Sequence, residues 1–491
     1  MNRIFSFLPA VVLGGLLVLA FEPFNFFIIP FIIFPSLFFI LKKTNAPWLN
    51  AFLFGFSFFS IGLYWLIFCI VNYGGASWFS ALTLCLLFYI FLGLFFLPFA
   101  LIKKNAFAHA IILLTLLEII REYLFTGFPW LSLGFSQVSN PLINQYFSIM
   151  GSHGITMTIL LISVLSFKVI ERKNKKVIPA IGIIIIILVN FMLPLTQPQP
   201  DNETKLKISL LQGNVSQDIK WNEDTVMHQI ESYLDLLDSA KGDLIVFPET
   251  AIPLLYTNYP SDFHQRINEK IKTNKTIILG SILEIDGNYL NSAVIKNDKE
   301  DQFYFKQHLV PFGEYFPLSN YLGFIYRKIL NIPFSNLTPS KIQNEFIAYD
   351  NFYLGLNICY EDIFKASYDE FLPQANLFIN LTNDAWYDRS PAAHQHIQIA
   401  QARAMEFNRP IVRATNTGVT AYINNKGEII NSLPTFSRDV LEIEVVPKSM
   451  PTVFSKFGYF PLYVFLLMIA LCDKFKSFPL LKRKKKVKSQ P

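Results

Sequence analysis

The sequence contains little charge and little cysteine, and each shortage excludes a class of protein. Only 16% of its 491 residues are charged, whereas 52% are hydrophobic and 50 are Phe. A disordered chain requires the opposite balance, so intrinsic disorder is excluded. The cysteines are too few and too widely spaced for a disulfide scaffold or a structural zinc site, and they are Cys69, Cys85, Cys359 and Cys472.

Basic charge is concentrated at the C-terminus. Residues 474–491 contain eight Lys or Arg and no acidic residue, whereas the formal net charge of the whole chain is +6. The rest of the chain is therefore slightly acidic, which argues against a nucleic-acid-binding face. The pattern predicts a basic tail on a largely apolar chain.

Long apolar runs dominate the first 195 residues. A helix of about 20 apolar residues spans the hydrocarbon layer of a membrane, and we predict seven spans before residue 196 and an eighth at Tyr459–Cys472. The first run resembles a secretory signal, but no small-residue cleavage site follows it, so we expect a retained helix. The seven early runs lie near residues 4–21, 26–41, 51–71, 78–102, 106–120, 154–170 and 177–195.

The loops between these runs predict the orientation of the chain, because Lys and Arg accumulate on the cytoplasmic side of short loops. Basic loops alternate with loops that are almost free of Lys and Arg. The basic loops contain Lys42-Lys43, Lys103-Lys104 and Arg172-Lys173-Lys175-Lys176, and the alternate segments, with Arg121 as their single basic residue, are 21–25, 72–77 and 121–153. We therefore expect both termini in the cytoplasm and residues 200–450 on the opposite side.

Residues 204–449 mix polar and apolar residues, and short β-rich runs alternate with helical repeats. This segment is large enough for its own core and predicts an α/β domain. Predicted strands are 205–212, 243–247, 276–283, 289–296, 303–310, 352–358, 376–382, 410–414, 419–424 and 439–446, and predicted helices are 222–240, 260–273 and 393–408. The expected organisation is a seven-helix bundle (1–196) with a stiff linker at 196–200, the α/β domain (204–449), an eighth membrane helix (456–473) and the tail (474–491).

Three residues with reactive side chains lie in or just after predicted strands: Glu249, Lys306 and Cys359. Singly, each has an ordinary explanation as a solvated acid, a surface charge or a small buried side chain. Together they match the needs of a reactive thiol, which requires a base and a nearby cation. Cys359 is also the one cysteine of the predicted exported domain, where no disulfide partner is available to it.

The Glu, Lys and Cys segments, in this order, are similar to the nitrilase or carbon-nitrogen hydrolase superfamily, whose fold is an αββα sandwich. With the apolar runs around them they resemble the apolipoprotein N-acyltransferase family, in which a multi-pass α-helical membrane bundle carries such a domain. The resemblance covers nearly the whole chain and rests on Gln212-Gly213-Asn214, Lys220-Trp221, Pro248-Glu249-Thr250, Asn291-Ser292, Pro311-Phe312-Gly313-Glu314, Cys359-Tyr360-Glu361, Asn383-Asp384-Ala385-Trp386 and Arg413–Gly418.

The resemblance implies a role for each matching residue. Glu249 would be the general base, Lys306 the cation beside the thiol and Cys359 the nucleophile. Supporting or substrate-contacting roles would fall to Glu314, Tyr360, Glu361, Trp221 and Trp386, although the two Trp residues could equally be core aromatics. We expect no cofactor and no metal, since His394 and His396 are two residues apart and would lie on different faces of a helix.

The implied activity is acyl transfer. A membrane phospholipid would acylate Cys359, and the thioester would then pass its acyl chain to the α-amino group of a diacylglyceryl-modified N-terminal Cys on an apolipoprotein. Two alternatives remain open at this point: a membrane-tethered amidase, and an inactive lipid-binding or transport protein. Transport is disfavoured because Glu118 is almost the only ionisable residue within the predicted spans.

One segment departs from the family pattern, and another allows two interpretations. Asn383–Trp386 continues as Tyr387-Asp388, where the family commonly has an aromatic residue followed by glycine. The apolar segment Tyr321–Phe334 is either a helix packed on the sandwich or a lipid-facing lid near Cys359.

The predicted topology can be tested with reporter fusions. Fusions after Lys43, Lys104 and Lys175 and at the C-terminus should report a cytoplasmic location, because basic loops stay inside. Fusions at Asn72 and within 204–449 should report export. An exported C-terminus would contradict the count of eight spans.

Overall fold

The computed structural model describes residues 7–171, 176–193, 204–315, 337–349 and 351–477. Contacts divide the chain into two compact units. The first comprises residues 1–62, 89–196 and 457–491, and the second comprises residues 63–88 and 197–456. The predicted linker at 196–200 and the apolar segment Tyr321–Phe334 lie outside the described residues.

The first unit is a helical bundle with a phenylalanine-rich interior. A Cβ atom at Gly14 would lie 2.1 Å from the carbonyl oxygen of Phe54, so two of the helices approach more closely than any larger side chain permits. Its helices in the described residues are Leu8–Leu17, Ile29–Lys43, Pro47–Gly62, Phe107–Tyr123, Phe147–Glu171, Val177–Met192 and Phe460–Ser477.

Two helices of the described residues, Trp78–Lys104 and Asn144–Glu171, are long and apolar enough to cross a membrane. The helices Pro47–Gly62 and Trp65–Tyr73 together could form a third span, bent by 51°. Leu8–Ala20 and Val177–Met192 are shorter apolar helices. The total of eight spans stays a prediction.

Arg121 does not belong to a loop, as the sequence had suggested, because it lies within helix Phe107–Tyr123. Its guanidinium group is buried and donates to the carbonyl oxygens of Phe128 and Trp130, each at 2.7 Å. Glu122 and His153 are also buried and lie 2.8 Å apart. Glu118 is therefore one of several ionisable groups inside the bundle.

The second unit contains two six-stranded sheets. The first has the order β12-β1-β2-β3-β4-β5 and the second β11-β10-β9-β8-β7-β6. β1 to β3 run parallel, as do β7 to β9. The strands are β1 Leu206–Gln212, β2 Leu244–Val246, β3 Thr276–Ile285, β4 Asn288–Lys296, β5 Gln302–Phe305, β6 Ile347–Tyr349, β7 Phe352–Ile358, β8 Leu377–Thr382, β9 Ile411–Thr415, β10 Ala421–Ile423, β11 Ile429–Ser432 and β12 Asp439–Val445.

The sheets face each other and helices cover their outer sides. β1 packs on β9, helices Glu223–Ser239 and Ser261–Ile271 contact the first sheet, and helix Ala392–Phe407 contacts the second. Helix Glu223–Ser239 begins at a capping residue, since the Asn222 side chain accepts from the Asp224 N–H. This layer order is the α/β architecture expected from the sequence.

Each predicted strand of this unit is present, with one clear shortening. The strand predicted at 303–310 is shorter in the structure and spans Gln302–Phe305, after which the Lys306 N–H still donates to the Asn291 carbonyl oxygen of β4. The edge strands β6 and β11 were not predicted. They have three and four residues, and each pairs with a neighbour on one side only.

Candidate active site

The ends of three strands bring the predicted reactive residues together. Glu249 follows β2 by three residues, Lys306 comes directly after β5, and Cys359 directly after β7. The first two belong to one sheet and Cys359 to the other. All three side chains are buried, and the Cys359 thiol interacts electrostatically with both Glu249 and Lys306.

Lys306 lies between two carboxylates. Its Nζ donates to Glu249 Oε1 at 3.1 Å and to Glu314 at 2.9 Å, and its side chain is fully buried. Burial opposes the charge of an ammonium group, but the charges of Glu249 and Glu314 outweigh burial and raise the pKa of Lys306 above its usual value. Lys306 is therefore charged at neutral pH.

Backbone and amide donors hold the Glu249 carboxylate. Asn291 Nδ2 donates to Oε1 at 2.7 Å, and the backbone N–H of Asn383, from the other sheet, donates to Oε2 at 2.9 Å. Burial opposes ionisation here too, but the Lys306 charge and the Asn291 hydrogen bond lower the pKa of Glu249 below its ordinary value. The carboxylate is thus ionised at rest.

Cys359 occupies a strained turn. Its φ is +52°, a left-handed value that costs a non-glycine residue about 1–2 kcal/mol. The residue ends β7 and begins the short 3-10 helix Cys359–Ile363. Such a turn directs a side chain away from the strand it follows.

Burial and the negative charge of Glu249 raise the pKa of the Cys359 thiol well above its usual value, whereas Lys306 lowers it. The resting side chain is therefore a thiol. A thiol reacts as a nucleophile when its proton passes to a base, and among the carboxylates that interact with Cys359, which include Asp384 and Glu314, Glu249 has the strongest effect.

The Glu361 carboxylate links the two sheets through hydrogen bonds. Its Oε1 accepts from the backbone N–H of Gln307 at 2.8 Å, directly after Lys306. Its Oε2 accepts from the N–H of Ile358 at 2.8 Å, directly before Cys359. Tyr304 adds a hydroxyl donor at 2.6 Å. One carboxylate thus fixes the Lys306 backbone relative to the Cys359 backbone.

The other predicted residues differ in position. Glu314 lies against Lys306, and Tyr360 is buried with its ring near His308 and Phe364. Trp386 lies on the 3-10 helix Asp384–Tyr387. Trp221 is half exposed, so it is not a core aromatic.

Residues 63–88 contribute to the surroundings of Trp386. The Cys69 thiol donates to the Trp386 carbonyl oxygen at 3.0 Å, and the Tyr73 and Trp386 rings meet edge to face at 5.9 Å. The Trp65 ring lies 4.9 Å from that of Tyr387. Helix Trp65–Phe68 and the π-helix Cys69–Tyr73 therefore pack on the loop that bears Trp386.

Asp388 explains the departure from the family pattern. Its φ of +47° and ψ of −149° are typical of glycine. The loop therefore keeps a glycine-like conformation despite the side chain.

A buried ionic cluster that the sequence did not reveal lies behind Cys359. His396 Nε2 lies 2.7 Å from Asp362 Oδ1 and its Nδ1 lies 2.9 Å from Asp384 Oδ1, and Arg413 pairs with Asp362 and lies 3.3 Å from Nδ1. The two carboxylate neighbours favour a positively charged imidazole. Although burial opposes this charge, the Asp362 carboxylate raises the pKa of His396 to about 8. The cluster ties the Cys359–Ile363 helix to the loop of Asp384.

Among the described residues, no group of three or more His, Cys, Asp or Glu side chains could hold a metal ion. His396 faces two acids, whereas His394 is partly exposed on the same helix. The site provides a thiol, a base and fixed positive charge, and these groups suit acyl chemistry.

Comparisons with known proteins agree in both halves of the chain. Residues 13–165 match the Apolipoprotein N-acyltransferase N-terminal domain, and residues 207–452 match the Carbon-nitrogen hydrolase family. An apolipoprotein N-acyltransferase of Nitrosomonas europaea is 30% identical over 97% of this chain and 99% of its own length. One of Coxiella burnetii is 32% identical over 94% of this chain and 99% of its own length. A solved amidase of Nesterenkonia sp. is also similar, with 12% identity, a TM-score of 0.39, and coverage of 54% of this chain and 98% of the amidase.

His396 should make stability depend on pH. Because its folded pKa is raised from 6.5 to about 8, its contribution is present below pH 6.5 and is lost as the pH rises through 8. The loss should reach about 2 kcal/mol, since one pKa unit corresponds to about 1.4 kcal/mol. Thermal unfolding of the purified protein in detergent measures it.

His396→Gln should make the decline between pH 6.5 and 8 smaller by about 2 kcal/mol, and the exposed His228→Gln should leave it at the wild-type size. An unchanged decline in His396→Gln would contradict this assignment.

Proposed function

The chain belongs to the apolipoprotein N-acyltransferase family, and from that premise we propose that it carries an acyl chain from a membrane phospholipid to an apolipoprotein by way of Cys359. The acceptor is the free α-amino group of a diacylglyceryl-modified N-terminal Cys. The observation that carries the proposal is the position of the Cys359 thiol, on a strained turn beside an ionised Glu249 and a charged Lys306.

In the first half-reaction, Cys359 Sγ attacks the ester carbonyl carbon of the phospholipid. Glu249 takes the thiol proton as the C–S bond forms, and it returns this proton to the glycerol oxygen when the C–O bond breaks. The products are a thioester and a lysophospholipid. Lys306 and the backbone N–H of Tyr360 stabilise the oxyanion that forms between these steps.

In the second half-reaction, the acceptor amine attacks the thioester carbon. A C–N bond forms and the C–S bond breaks, while Glu249 passes an amine proton to the departing sulfur. The thioester conserves the acyl potential of the donor ester, so no cofactor is required. The supporting residues act around these steps: Glu314 holds Lys306, and Glu361 fixes Lys306 relative to Cys359.

Substrate contacts are proposed for two aromatic residues. Trp221 exposes half of its surface, and Trp386 lies on the loop whose Asn383 N–H binds Glu249. An apolar acyl chain or lipid surface suits such side chains.

We place the protein in the bacterial inner membrane, with the catalytic domain on the periplasmic side and both termini in the cytoplasm. The apolar helices and the basic loops support this orientation. Both substrates are lipids or lipid-modified, so a site at a membrane surface would meet each of them.

Replacement of the nucleophile tests the residue assignment. Cys359→Ala should abolish transfer of a labelled acyl chain from phospholipid to a diacylglyceryl-Cys peptide, because Cys359 is the thiol that interacts with Glu249 and Lys306. Cys85→Ala and Cys472→Ala should transfer at nearly the wild-type rate, since neither lies among the residues of the site. Substantial transfer by Cys359→Ala would end the assignment.

Transferase and hydrolase differ in how the acyl-enzyme behaves in the absence of acceptor. A transferase must keep water poorly placed around the thioester, so phospholipid alone should release about one equivalent of lysophospholipid and then stop. A diacylglyceryl-Cys peptide with a free amine should restart the release, and its N-acetylated form should not. Chromatography of the released lipids measures both outcomes. Continuous release of fatty acid without peptide would instead favour the membrane-tethered amidase.

A further inference from the structure

A second buried lysine lies next to Glu249. Lys220 is 1% exposed, and its Nζ donates to Thr250 Oγ1 at 2.8 Å and lies 3.4 Å from the Glu249 carbonyl oxygen. It also interacts electrostatically with Glu249 and Cys359, the two ionisable groups that face it. The mechanism described above does not use it.

The turn that Lys220 contacts is strained. Thr250 has a φ of +42°, an unusual value for a β-branched residue. Both hydrogen-bond acceptors of Lys220 belong to this turn, one on each side of the Glu249–Thr250 peptide bond. The lysine therefore holds the backbone that presents the Glu249 carboxylate.

The site carries an excess of negative charge that Lys220 can partly neutralise. Lys306 is shared between Glu249 and Glu314, and the carboxylate of Glu361 lies nearby. Three buried acids around one ammonium group leave a negative surplus, which opposes a thiolate. Arg413 also interacts with Cys359, but it is paired with Asp362, whereas Lys220 adds an ammonium group next to Glu249 and so reduces this surplus.

We propose that Lys220 is a positioning residue of the first half-reaction: its ammonium group holds the Glu249–Thr250 turn and supplies a further positive charge, besides that of Lys306, that stabilises the forming Cys359 thiolate. This inference rests on the proposed function, because the step it assists is formation of the thioester. The reacting groups remain Glu249, Lys306 and Cys359.

The role predicts a specific dependence on pH. Burial lowers the pKa of Lys220 to about 8, although the Glu249 charge counteracts it. Lys220 is therefore charged at pH 7 and neutral at pH 9.5. Its electrostatic benefit should vanish over this interval, whereas a purely structural contact would persist.

The test measures thioester formation with phospholipid alone, so that the titration of an acceptor amine cannot contribute. Rates are compared for wild type and Lys220→Met at pH 7 and 9.5. At pH 7 the wild type should form the thioester about 10-fold faster than Lys220→Met, because loss of the charge should raise the pKa of the Cys359 thiol by about one unit. At pH 9.5 the two rates should differ much less. Lys207→Met, at an exposed position of β1, should match wild type at both values.

Lys220→Arg provides a second comparison, which also holds if Lys220→Met does not fold. Arginine keeps its charge at pH 9.5, so the rate of this variant relative to wild type should rise between pH 7 and 9.5. A ratio that does not change with pH in either variant would overturn the inference while leaving the proposed function intact. Absence of a thioester in the wild type at every pH would instead overturn the proposed function.

Discussion

The buried ammonium group of Lys306 is the interaction on which the rest of the site depends. It lies between the carboxylates of Glu249 and Glu314, which would otherwise face each other without compensation in an interior that excludes water. Asn291 reinforces this arrangement by donating to both acids. The backbone N–H of Asn383, directly after β8 of the second sheet, donates to the other carboxylate oxygen of Glu249. This hydrogen bond links the charged cluster of the first sheet to the loop that follows β8.

This arrangement sets the reactivity of Cys359. Burial and the surrounding carboxylates keep the thiol protonated at rest, and Lys306 compensates only in part. In the proposed mechanism a thiolate forms only as Glu249 accepts its proton, which would couple deprotonation to attack on a bound ester. The hydrogen bond from the Ile358 N–H to Glu361 holds the backbone next to Cys359, whose own φ is left-handed.

The sequence was informative where structure is local. The strand that ends before Cys359 and the helix at 392–407 were visible as patterns of a few residues, and the order of Glu249, Lys306 and Cys359 pointed to the site. The parts that could not be predicted depend on contacts between distant residues: Asn383 meets Glu249 across 134 positions, and His396 meets Asp362 across 34. A pattern along the chain carries no information about such partners.

For some single residues the sequence allowed two interpretations, and only the burial of the side chain in the structure decides between them. Lys220 and Trp221 are adjacent in the sequence. The lysine is buried and the tryptophan is exposed, the reverse of what their polarity suggests. Arg121 appeared as a loop charge and lies inside a helix of the bundle. In both cases a buried cation is stabilised by oxygen acceptors that the sequence does not place beside it.

The central claim is that Cys359 itself carries the acyl chain. Mass spectrometry of the proteolytic fragment that contains Cys359, after exposure of the intact protein to phospholipid with an isotope-labelled acyl chain, measures this directly. The account predicts one labelled acyl group on Cys359, removed by hydroxylamine as a thioester is. A labelled group on another residue, or transfer to peptide with Cys359 unmodified throughout, would contradict it.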